Sequence, residues 1–93
     1  MLTKNDYTVD YPLEIEQKLK QLTDLAAPVR SWKVDIGEDA TGEMAAWVWA
    51  VLDDASLNRD VRNRLRETID SEVRRIVPNL VWVYVRFRAV SEV

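Results

Sequence analysis

The sequence predicts a small α+β domain in the order α-β-β-α-β, with a three-stranded mixed sheet and both helices on one of its faces. Three observations carry this. Apolar residues recur every three or four positions in two segments and at every second position in three others. Both glycines lie between the first two strand-like runs, as a hairpin requires, and Pro28 and Pro78 stand where each helical pattern stops. A chain of 93 residues has room for one core, with about 60–65% of its unfolded surface buried on folding.

Residues 1–11 are polar and aperiodic and read as an N-terminal arm, leaving 12–93 as a single domain. Pro12 suits the first turn of a helix reaching about Leu25, because Ile15, Leu19, Leu22 and Ala26 share one side. Glu14 with Lys18, and Glu16 with Lys20, add i,i+4 pairs on the exposed side. From Val29 to Ile36 the period changes to two, with Trp32, Val34 and Ile36 opposed to Ser31, Lys33 and Asp35. The loop Gly37 to Met44 leads into a second strand, Ala45 to Asp53.

Ser56 and Asn58 are candidate N-caps for the second helix, whose stripe is Val61, Leu65, Ile69, Val73 and Ile76. The third strand, Leu80 to Arg88, alternates Val81, Val83, Val85 and Phe87 with Trp82, Tyr84, Arg86 and Arg88. Both helical stripes are aliphatic, so the aliphatic strand rows should meet them and the opposite face stays uncovered. On the second strand both rows are apolar. The small row of Ala46, Val48, Ala50 and Leu52 suits close helix packing, which puts Trp47 and Trp49 on the uncovered face.

Three of the four tryptophans and a tyrosine would then share one open surface, and soluble monomers seldom expose aromatic area of that extent. Trp47, Trp49, Trp82 and Tyr84 are the expected anchors for a partner, with Lys33, Asp35, Arg86 and Arg88 at the rim. A second copy of the chain or another protein is the first expectation. Single-stranded RNA is the alternative, since bases stack on sheet-borne aromatics while Lys and Arg hold the backbone.

Several chemistries lack their residues. Without histidine or cysteine there is no imidazole base, no Ser-His or Cys-His nucleophile and no nitrogen or sulfur zinc site. Two glycines supply neither a P-loop nor a GxGxxG turn. No catalysis, cofactor or metal is expected, the remote alternative being a carboxylate-metal site at Glu38, Asp39 and Glu43, which also read as an ordinary solvated hairpin loop. The six arginines of the second helix are interleaved with Asp60, Glu67, Asp70 and Glu72, so pairs such as Arg66 with Asp70, or Asp70 with Arg74, make it a solvated face. A net charge of −3 does not recruit a membrane or nucleic acid in bulk, and the longest apolar run, Ala45 to Leu52, is too short to span a bilayer. A cytoplasmic location is the default expectation.

The segments VDIGEDATGEMAAWVWAVLDD, Val34 to Asp54, and RRIVPNLVWVY, Arg74 to Tyr84, resemble ribosome-binding factor A, a KH-like protein of bacteria. The likeness lies in a strand, an acidic loop, an aromatic strand and a helix ending before a Val-Pro-x-Leu strand. From Val34 to Tyr84 it spans about half of the chain, the stretch between second and third strands being shorter than that family's. It implies a KH-like fold and contact with ribosomal RNA.

Overall fold

Asp10 opens the first helix of the computed structural model, which describes residues 10–93; residues 1–9, most of the expected arm, lie outside the described residues. Its carboxylate accepts from the Leu13 N–H at 3.1 Å, and Pro12 sits in the first turn, where an N–H would have no partner. Helix α1, Tyr11–Lys20, stops short of the expected Leu25. The Gln21 and Leu22 amides fold back onto the Lys18 and Leu19 carbonyls at 3.1 and 3.2 Å, a tightened turn that ends the helix. Leu22 keeps its expected place on the core from irregular backbone, whereas Ala26, the next position of the expected stripe, is exposed and Leu25 packs there instead.

Strands β1, Val29–Glu38, and β2, Met44–Leu52, form an antiparallel hairpin. Asp39 organises its loop: Oδ1 accepts from the Thr41 N–H, the Thr41 hydroxyl and the Glu43 N–H at 2.9, 2.6 and 3.1 Å. Gly42 takes a φ of +81°, a left-handed conformation that a Cβ would penalise. The ladder is irregular between Val29 and Ser31, and the intervening Arg30 reaches both carboxylate oxygens of Asp53 at 2.9 and 3.3 Å.

A single 3-10 turn, Asp54–Ser56, leads to helix α2, Arg59–Ile76. Of the two candidate caps Asn58 does the work, accepting from the Val61 N–H at 2.9 Å. Strand β3, Trp82–Ala89, runs parallel to β2, so the sheet is mixed, in the order β1-β2-β3. The final turn, Val90–Glu92, is tied back by the Ser91 hydroxyl, which donates to Asp54 at 2.6 Å. The element order and the small α+β fold are those read from the sequence.

One buried cluster joins Ile15 and Leu19 of α1, Leu65, Ile69 and Val73 of α2, and Val34, Ala46, Val48, Leu52 and Val85 of the sheet. Both helices therefore cover the same face, and Ala46, Val48, Ala50 and Leu52, each 0% exposed, form its central row. Trp32 is the one tryptophan on this side, half-buried against the core. Two details depart from the alternation in the sequence. Val81 is exposed, because β3 begins at Trp82, two residues later than expected, and Leu80 enters the core instead. Arg66 lies over the Phe87 ring, 5.3 Å from its centroid, while Asp70 is held by Arg74 at 2.6 Å. Among the described residues no helix is long and apolar enough to cross a membrane.

Candidate functional site

The face that the helices leave uncovered is a grid of three strands by four rows, fixed by register. Ser31, Val51 and Arg88 make the first row; Lys33, Trp49 and Arg86 the second; Asp35, Trp47 and Tyr84 the third; Gly37, Ala45 and Trp82 the fourth. All eight site residues expected from the sequence fall in it. Trp47 and Trp49 are half-buried and stand opposite the fully buried Ala46, Val48 and Ala50, as the small-row argument required.

Tyr84 is the centre of an aromatic run. It stacks on Trp47 across β2 and β3 with centroids 5.8 Å apart, and on Trp82 along β3 at 6.4 Å, both at 25° between planes. The rings shield one another, which is how Trp47 and Tyr84 become half-buried on a face that no helix covers. Trp82, at the end of the run, remains 47% exposed. On the other side of the face Lys33 places its ammonium 5.3 Å from the centre of Trp49. Lys33, Trp49, Val51 and Arg88 surround a depression of about 340 Å³.

Two residues that sequence reasoning did not assign to the site hold its aromatics. The Trp82 indole N–H donates to Glu43 Oε1, and the Tyr84 hydroxyl to Asp39 Oδ2, each at 3.3 Å. The parallel pairing of β2 and β3 explains both contacts, since it sets the start of β3 beside the hairpin loop. Thr41 and the loop amides hold the Asp39 carboxyl below its ordinary range, the Thr41 hydroxyl contributing most. Loss of solvent, and then the charge of Asp39, raise the Tyr84 phenol above its ordinary value, so it stays a protonated donor.

Asp39 is thereby committed to the loop and to Tyr84. Among the described residues no group of three or more His, Cys, Asp or Glu side chains comes together as a metal site.

The charges on this face are segregated. Lys33, Arg86 and Arg88 surround Trp49 at one end, while Asp35, Asp39 and Glu43 border Trp47, Tyr84 and Trp82 at the other. Among the described residues, no ion pair within 4.0 Å involves any of these six. Asp53, which lies near the basic end, is already paired with Arg30. The surface can thus offer flat apolar rings for packing or stacking and unpaired charges of both signs for orientation.

No protein-family model, curated protein or solved structure matches the chain.

Proposed function

We propose that this protein is a small non-catalytic binding module, which self-associates or docks a partner protein through the aromatic, helix-free face of its sheet. The observation that carries the reading is the stacked run Trp47, Tyr84 and Trp82 beside Trp49, outside the helix-covered core. Rigid, amphipathic rings of this kind concentrate binding energy at protein interfaces. Mass measured by sedimentation or light scattering at two concentrations tests self-association directly. Trp82→Ala is expected to weaken association by about 2 kcal/mol, roughly 30-fold, while the circular dichroism spectrum and urea midpoint stay close to those of the parent. A Trp82→Ala protein that associates as the parent does would overturn the reading.

A second reading, single-stranded RNA on the same face, is favoured by the basic cluster of Lys33, Arg86 and Arg88 around Trp49, and by the resemblance of residues 34–54 and 74–84 to ribosome-binding factor A. It predicts tryptophan quenching by short oligonucleotides, with an affinity that falls steeply as salt rises. Unchanged fluorescence at low salt would remove it.

A further inference from the structure

We propose that the occupant of the aromatic face is a second copy of this chain, packed face to face about a two-fold axis running across the strands between the Trp47 and Trp49 rows. This rests on the binding-module reading above and goes further by naming the partner and its orientation. For two sheets packed with their strands aligned, two-fold symmetry leaves two in-plane axes. An axis along the strands would lay the basic end on the partner's basic end and the acidic end on its acidic end. An axis across the strands lays each end on its opposite.

The register makes the second arrangement specific. Each strand lies over its own copy, and the second row of one chain meets the third row of the other. Lys33 then faces the partner copy's aspartate at position 35, and Trp49 faces its tryptophan at position 47. Arg86 faces the partner copy's Tyr84 ring, and Arg88 its Trp82 ring, whose N–H is held by Glu43. Every unpaired cation of the face finds a carboxylate or a ring. The product is a four-layer α/β/β/α sandwich, with the two sheets aligned within the ~30° that their twist imposes.

The same segregation disfavours a polyanion, since a strand of phosphates crossing the whole face would run from Lys33, Arg86 and Arg88 into Asp35, Asp39 and Glu43. Three strands at about 4.8 Å and seven residues at about 3.3 Å make a face of roughly 14 by 23 Å. That is small for a stable interface, so self-association should be reversible in the ~micromolar range.

The test is a pair of charge-reversed chains. Lys33→Glu/Arg86→Glu makes both ends acidic, and Asp35→Lys/Glu43→Lys makes both ends basic, while Asp39 is kept because it builds the loop. All four positions are exposed, and thermal melts check that each variant folds. Each variant alone is expected to self-associate at least ~10-fold more weakly than the parent, and an equimolar mixture to regain the parent affinity as a one-to-one heterodimer. A mixture no tighter than its components would overturn the two-fold arrangement. The binding face would still stand if Trp82→Ala dissociates the parent. A parent chain that is monomeric at every concentration, or whose tryptophans are quenched by oligonucleotide while its mass stays that of one chain, would overturn the second copy as occupant.

Discussion

Tyr84 pairs with Trp47 in the parallel register of β2 and β3, its ring stacked 5.8 Å away, and its hydroxyl reaches Asp39 Oδ2 at 3.3 Å in the hairpin loop. One side chain therefore links the crossover strand to the turn that joins the other two. Tyr84→Phe keeps the stacking and removes only the hydroxyl. The long, partly solvated bond it breaks is expected to lower the urea midpoint only slightly. Association through the face should be little changed, because the ring surface remains.

Stability should vary with pH at both extremes for identifiable reasons. Asp39 has its folded-state value depressed, so its contribution is fully present above about pH 4 and is lost as pH falls through the folded value. Asp54, held low by the Ser91 hydroxyl and amide, acts in the same direction. Tyr84 is raised, so its contribution is complete below about pH 10 and declines as pH climbs beyond it. Melting temperatures of the parent and of Asp39→Asn should converge below pH 4, and those of the parent and Tyr84→Phe above pH 10. A constant gap across either range would contradict the assignment.

Leu65 is fully buried in the middle of the α2 stripe, within the cluster that also holds Val48 and Ile69. Leu65→Ala deletes packed methyl groups from beneath the sheet, and such truncations cost about 2–5 kcal/mol. In a domain this small that is a large part of the total stability. Urea unfolding should show an early midpoint, and the loss should exceed that of Tyr84→Phe several-fold. The contrast separates the face that folds the chain from the face offered to a partner.

The division between those two faces was legible in residue size. Ala46 and Ala50 leave room for helices, as Trp47 and Trp49 do not, so the row facing the core could be read before any contact was known. The register was not legible. Alternation says which side a residue faces but not which residue stands beside it, and the polarity of the open face exists only because Lys33, Trp49 and Arg86 share a row. The roles of Asp39 and Glu43 were hidden for the same reason, since carboxylates beside glycine describe a solvated loop until parallel pairing brings Trp82 and Tyr84 within reach. The end of α1 was misplaced because Leu22 and Ala26 keep a helical spacing, although Leu22 packs from irregular chain and Ala26 is exposed.

Arg74 shows how a residue read as half of a surface ion pair can have a second duty. Its Nε donates to Asp70 at 2.6 Å, its Nη1 to the Leu80 carbonyl at 2.9 Å and its Nη2 to the Val81 carbonyl at 3.3 Å. The guanidinium fork thereby clamps the last turn of α2 to the chain entering β3, where Pro78 interrupts the helix and Leu80 must be delivered to the core. Lysine keeps the charge and loses the fork, so it can satisfy Asp70 or a carbonyl but not all three. Arg74→Lys is expected to destabilise by about 1–2 kcal/mol, and Arg74→Ala by slightly more, as the part-buried Leu80 carbonyl loses its donor. Asp70→Asn, which weakens only the ion pair, should cost less than either. If urea midpoints rank Asp70→Asn at or below Arg74→Lys, the clamp on the β3 entry is not what Arg74 contributes.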